Sequence, residues 1–141
     1  MLSGDLSRDL SLIFIDTSAF YAASDKSDQF YTIAKGLFEK IQKDRLEIVT
    51  HNYVVVETVA LLQRRLGHMC ALRFLKSLDE IAVFFIDNAL QSKSLEKFKT
   101  HVSTKISFVD CVSFIFMEHQ KIKTFFGFDS HFKKSGFKDF L

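Results

Sequence analysis

A chain of 141 residues has room for one ordinary domain, and 48% hydrophobic residues supply a real core, which excludes global disorder. Its 19 basic and 17 acidic residues leave a formal net charge of +2, too balanced to signal nucleic-acid binding by bulk electrostatics. With 17 Phe, no Trp and no Pro, the core is expected to be dense in Phe rings, and Gly and polar residues to make the turns. No apolar run approaches the roughly 18 residues of a membrane span. Residues 1–11 carry Asp5, Arg8 and Asp9 and so lack the apolar region of a secretory leader. Cys70 and Cys111 stand at no metal-ligand or redox spacing and read as small buried apolar residues, which suits a reducing interior. The expectation is a cytoplasmic protein with no membrane association.

Short β-rich runs alternate with longer helical ones. Residues 12–15 read as a buried strand, and 17–23 as the start of a short helix. Residues 29–43 place Phe30, Ile33, Ala34, Leu37, Phe38 and Ile41 at helical spacing, with Asp28 as the expected N-cap. A second strand falls at 46–49. Asn52 is placed to cap a long helix running to Leu66, which Gly67 would end, and 68–78 reads as the returning helix. A third strand is expected at 82–86, a more polar helix at 90–98 and a strong helix at 107–119. A fourth strand at 123–126 and a short fifth at 137–141 complete the pattern. Strands separated by helices predict βαβ units. The expected fold is a three-layer α/β/α domain spanning residues 1–141, with a mainly parallel central sheet of four or five strands.

Four carboxylates stand where an apolar chain should not put them. Asp16 ends the run Leu12-Ile13-Phe14-Ile15; Glu57 interrupts Val54-Val55-Val56 and Val59-Ala60-Leu61-Leu62; Asp110 opens the stretch from Val112 to Met117; Asp129 follows Phe125-Phe126-Gly127-Phe128. An ionised carboxylate is expensive to bury unless something pairs with it. In open α/β sheets ligands bind outside the carboxyl ends of the strands, where Asp16 and Asp129 would both lie. Asp110 falls in the first turn of its helix and Glu57 in the second turn of its own, on an apolar face, so all four are expected at one rim. Two unit charges about 4 Å apart repel by roughly 4 kcal/mol at an effective dielectric near 20. Such a group either protonates in part or takes a divalent cation. Oxygen ligands with no His or Cys nearby favour Mg²⁺ or Mn²⁺ over Zn²⁺. With the acids gathered, the remaining surface is more basic and suits a phosphate-backbone substrate.

Each acid also has a local reading. Asp16 before Thr17-Ser18 reads as a helix cap, Ser107-Phe108-Val109-Asp110 as a capping box, Glu57 as a solvent-facing residue, and Asp129 as a turn or helix cap. Capping and metal binding are compatible. Thr17, Ser18 and Ser107 are candidates to position a phosphate or water, with capping as their alternative. Lys133 and Lys134 are candidates to meet a phosphate backbone, or are solvated surface. His51 and His131 read as polar edge residues.

The acids and their surroundings resemble the PIN-domain nucleases over nearly the whole chain, from Leu12 to Leu141. Ile13-Phe14-Ile15-Asp16-Thr17-Ser18-Ala19-Phe20 is similar to the family's opening strand, ending in Asp followed by hydroxyl residues. Val56-Glu57-Thr58-Val59-Ala60-Leu61-Leu62 is similar to its helical Glu motif, Ser107-Phe108-Val109-Asp110-Cys111-Val112-Ser113 to its late helical Asp, and Phe128-Asp129-Ser130-His131-Phe132 to its terminal Asp motif. The resemblance implies a Mg²⁺- or Mn²⁺-dependent endoribonuclease. In it Asp16 and Asp110 are primary ligands, Glu57 orients the attacking water or helps ligate, and Asp129 completes the site. Among bacterial members, compact chains of this length are often VapC-like toxins held by an antitoxin, and many pair as homodimers. An antitoxin groove is expected between the early helices, near Phe20, Tyr21, Phe30 and Leu61 or Leu62. One position departs from the family: many members carry Thr or Ser two residues before the last Asp, where this chain has Gly127.

Other functions fit less well. Haloacid-dehalogenase-like phosphatases need a second Asp after Asp16-Thr17, and receiver domains an acidic pair at the first strand. No Gly-rich phosphate loop is present. A non-catalytic RNA- or protein-binding module on the same fold, or an RNA-processing nuclease outside toxin–antitoxin systems, is the alternative.

Overall fold

The computed structural model describes residues 12–102 and 104–141; the stretch read above for its lack of an apolar leader lies outside them. At the centre is β1 (Ile13–Ile15), all three residues of which are buried. Its continuous apolar run suits a strand covered on both faces. β1 pairs in parallel with β2 (Ile48–His51) on one side and β4 (Thr124–Phe126) on the other. β3 (Ala82–Phe84) extends the sheet beyond β2 and β5 (Lys138–Asp139) beyond β4. The order is β3-β2-β1-β4-β5; the expected parallel pairing holds for all five strands.

Helices connect the strands and form the outer layers. α1 (Thr17–Ser24) packs on α2 (Tyr31–Asp44) and α3 (Asn52–Leu66), α4 (His68–Ser77) returns along α3, and α5 (Asn88–Lys99) packs on α6 (Phe108–Gln120). A short α7 (Ser130–Lys134) links β4 to β5. Among the described residues no helix is long and apolar enough to cross a membrane.

The expected Phe core is present, and part of it anchors the late acidic turn. Phe132 is fully buried. Its ring lies 4.9 Å from that of Phe114, 5.0 Å from Phe125 and 5.9 Å from Phe14. Phe128 stacks on Phe30 at 4.4 Å. The residues on either side of Asp129 are thus held by rings from other elements.

Several local expectations change. His51, not Asn52, caps α3: its Nδ1 accepts the Val54 N–H at 3.3 Å. Asn52 becomes the first helical residue and spends its carbonyl on the Ile86 N–H at 2.8 Å. His51 is no edge residue. It is fully buried, stacks on Phe14, and meets Ser113 Oγ through Nε2 at 2.9 Å. Burial holds its pKa down at about 3, so the ring is neutral. Asp28 accepts from Phe30 N at 2.8 Å, a turn that precedes the helix rather than its N-cap. Gly67 does end α3, with φ of 96°. Helices α2 and α6 close on left-handed Arg45 and Lys121, polar residues taking turns beside Gly as expected. Cys111 is buried as expected, while Cys70 is partly exposed.

Candidate metal centre at the sheet switch point

The strand order reverses direction between β1 and β4: the chain winds outward through β2 and β3, then returns to build the other side. In open α/β folds the crevice beyond the strand ends at such a reversal is where ligands bind. Asp16 follows β1 there, and Gly127-Phe128-Asp129 follows β4.

Asp16 caps α1, and its Oδ2 accepts both the Ser18 N–H at 3.3 Å and the Ser18 hydroxyl at 2.8 Å. It is only 5% exposed. Burial raises its pKa to about 7; the Ser18 bonds pull it down, and the charges of Asp110 and Glu57 push it further up. Gly127 makes this closeness feasible. A Cβ at that position would stand 3.0 Å from both Asp16 Cβ and Ser18 Oγ. The Ser18 hydroxyl fills that space and also accepts the Phe128 N–H at 2.9 Å, bridging the ends of β1 and β4.

Glu57 faces the same crevice from the second turn of α3. Thr17 donates its hydroxyl to Glu57 Oε1 at 2.6 Å, and Thr58 donates in turn to Thr17 at 3.2 Å. The solvent-facing reading of Glu57 therefore fails, and Thr17 serves the site by fixing this carboxylate. Asp110 and Ser107 form the expected capping box, Ser107 N–H reaching Asp110 Oδ2 at 3.1 Å and Asp110 N–H reaching Ser107 Oγ at 3.0 Å. Burial raises the Asp110 pKa, opposed by the Ser107 N–H and reinforced by Asp129 and Glu57. Asp129 caps α7 through the His131 N–H at 2.9 Å. The mutual charge effects tie Asp16, Glu57 and Asp110 to one another, and Asp110 to Asp129.

Sequence reasoning missed His131. Its Nδ1 lies 2.9 Å from Asp129 Oδ1 and 3.9 Å from Asp110 Oδ2. One ligand atom from each of Asp110, Asp129 and His131 falls within 4.8 Å of the others. Nearness to Asp129 in sequence was the available signal; the direction of the ring was not. The expectation of a site without nearby His is thereby corrected. The residues fit a divalent cation: hard carboxylate oxygens from four elements, raised carboxyl pKa values that an ion would relieve, and a buried ring nitrogen lacking a hydrogen-bond partner among the described residues.

The remaining candidates lie further out. Ser107 is exposed, and its observed role is capping. Lys133 and Lys134 are exposed in the last turn of α7. Lys134 borders a shallow groove of about 430 Å³, shared with His101, Thr104, Lys105 and His131. Of the residues expected at a partner groove, Tyr21 and Leu62 are core, and Phe30 is spent on Phe128. Phe20 lines a larger cavity of about 820 Å³ with Phe38 and Ile41 of α2 and Cys70 and Phe74 of α4.

A parallel five-stranded sheet with acids converging at its switch point defines an acid-centred α/β nuclease class, and residues 13–138 match the PIN domain family, to which this chain belongs. Within that family it is VapC-like. The 23S rRNA-specific endonuclease VapC20 of Mycobacterium tuberculosis, from strains CDC 1551 / Oshkosh and ATCC 25618 / H37Rv, is 30% identical over 128 residues, covering 89% of this chain and 95% of the relative. The crystal structure of Mycobacterium tuberculosis VapC20, described as a Sarcin-Ricin loop cleaving toxin, superposes with a TM-score of 0.79 at 30% identity, over 89% of this chain and 95% of that one.

Proposed function

We propose that this chain is a divalent-metal-dependent endoribonuclease, the toxin of a toxin–antitoxin pair, acting as one nuclease domain in the cytoplasm. The observation that carries the reading is the group of Asp110, Asp129 and His131, whose ligand atoms lie within 4.8 Å of one another, with Asp16 and Glu57 near enough for their charges to act on Asp110 or on each other. Asp16, Asp110 and Asp129 would hold Mg²⁺ or Mn²⁺, with Glu57 beside them. When bound, the ion supplies Lewis-acid stabilisation of the charge that develops on the phosphoryl oxygens. Glu57, with one oxygen tied to Thr17, has its other oxygen to accept a proton from the attacking water. Thr17 and Thr58 keep that carboxylate from swinging to solvent. Ser18 holds Asp16 at the meeting of β1 and β4, and Lys134, with Lys105, offers positive charge to an RNA backbone along the neighbouring groove.

The relatives' target, 23S rRNA, is the first substrate to test. Purified protein incubated with ribosomal RNA and Mn²⁺ or Mg²⁺ should give defined cleavage ends that EDTA abolishes. Asp16→Asn and Asp110→Asn should remove cleavage by at least about a hundredfold while keeping the fold, since Asn at 16 still caps α1 and the Asn carbonyl at 110 can still accept the Ser107 N–H. Wild-type rates in either variant would refute the site. For the antitoxin, the cavity between α1, α2 and α4 is the better candidate than the groove expected from sequence. It joins Phe20, Phe38, Ile41 and Phe74 to a rim of mixed charge, Lys35, Arg45 and Arg73 with Glu39 and Glu80, which suits an amphipathic helix with charged flanks.

A further inference from the structure

The late acidic turn contains one polar atom that a carboxylate-only centre does not explain. His131 sits two residues beyond Asp129, and its ring is 23% exposed, yet its Nδ1 is fully buried with no hydrogen-bond partner among the described residues. Asp129 Oδ1 stands 2.9 Å away but off the direction of a ring N–H, and that oxygen already accepts the His131 backbone N–H. A buried polar atom left unsatisfied costs about 1–3 kcal/mol. An unprotonated ring nitrogen and a carboxylate oxygen held 2.9 Å apart with no proton between them also repel. A cation set to one side of the line between them, along the ring-nitrogen lone pair and bonded to both atoms, reverses both penalties.

The spacings suit such an ion. Bonds of about 2.0–2.2 Å place adjacent ligand atoms roughly 3 Å apart and opposite ones roughly 4.3 Å apart. The ring nitrogen is 2.9 Å from Asp129 Oδ1 and 3.9 Å from Asp110 Oδ2. The neighbourhood also holds the ring in place. Asp129 caps the helix that carries it, and Phe132, the next residue, is locked among Phe14, Phe114 and Phe125.

We propose that His131, through Nδ1, is a direct nitrogen ligand of the cation held by Asp110 and Asp129, making the centre a mixed nitrogen–oxygen site that selects Mn²⁺ over Mg²⁺. The inference rests on the metal-dependent reading above and sharpens it. Imidazole adds little for Mg²⁺, which prefers oxygen and sheds water reluctantly, and more for ions further along the transition series. Removing the ring should therefore cost Mn²⁺ far more than it costs Mg²⁺.

Pulsed electron paramagnetic resonance on the Mn²⁺-loaded full chain reads this directly, since a coordinated imidazole imprints ¹⁴N modulation on the Mn²⁺ echo. Wild type should show it, and His131→Gln should lose it. In calorimetric titrations the same variant should raise the Mn²⁺ Kd at least about tenfold and change the Mg²⁺ Kd by less than about threefold. Mn²⁺ bound to wild type without ¹⁴N modulation overturns the assignment of His131 and leaves the metal site intact. Failure of wild type to bind Mn²⁺ at all overturns both readings. The wild-type spectrum requires no variant, so poor folding of His131→Gln does not rescue the proposal.

Discussion

Asp16 is pulled in two directions. The Ser18 N–H and hydroxyl favour its ionised form, whereas burial and two neighbouring acids favour the neutral one and win, raising its pKa from 3.8 to about 7. In the metal-free protein the sign follows from that rise. The contribution of Asp16 to stability is fully present below about pH 4, and it is lost as pH climbs through about 7; Asp110 acts in the same direction. Urea melts in EDTA should therefore show lower stability at pH 8 than at pH 5.5. Asp16→Asn, which keeps the cap without the charge, should recover up to about 4 kcal/mol of stability at pH 8. Equal pH slopes in the two proteins would sink this account. Because the ion needs the carboxylate ionised, Mn²⁺ affinity should rise close to tenfold per pH unit below about pH 7 for one proton released. At this scale the sequence is informative where chemistry clashes with context, as in an acid closing an apolar run. It is silent on the direction of a ring. His131 and His51 look alike in the sequence, yet one points into the acidic crevice and the other is a buried, neutral helix cap.

Among the elements, the ends of β1 and β4 depend on one another through Gly127. The family's usual hydroxyl residue is missing there, and the Ser18 hydroxyl stands in the space its Cβ would need. Gly127→Ala should push β4 away from Asp16, with a loss of about 1–3 kcal/mol in denaturant melts and weaker Mn²⁺ binding. Adding Ser18→Ala should restore part of that loss by removing one of the two close contacts, visible as coupling in a double-mutant cycle. Additive effects would show that the two residues do not share the space. The strands and longer helices were legible because their apolar spacing matches their period. Their ends were less so, since side chains from distant elements decide them. β3 stops at Phe84 while Ile86 N–H turns to Asn52. α7 has five residues and a single buried ring, too little for any period to register, so the sequence leaves its start open between a turn and a cap.

For the whole molecule, alternation of strand and helix predicts a parallel sheet, but not the order β3-β2-β1-β4-β5. Which strand lies beside β1 is decided by packing between residues far apart in the chain, and no local pattern encodes it. The order nonetheless determines the function, because only the pairing of β1 with β4 brings Asp16 to the Asp129 turn. An ion that binds the assembled crevice and not the unfolded chain must stabilise the fold. At about 100 times its dissociation constant, free Mn²⁺ should add roughly 2.7 kcal/mol. Thermal melts with and without Mn²⁺ test this, and a midpoint unmoved at saturation would argue against a preformed centre.

The bond from Phe128 N to Ser18 Oγ spans 110 positions of the chain, and that distance has a meaning in time. Synthesis delivers Asp16 and Glu57 early, then must proceed through α6 before β4 arrives to complete the crevice. Contacts of such long range form late in folding. On the proposed function, a growing chain is thus without its complete crevice until β4 and the Asp129 turn have emerged. Ribosome-bound chains arrested after Gln120 should show none of the cleavage that released chains show. On that reading the fold leaves an interval in which the proposed antitoxin can reach the early helices before the crevice is complete.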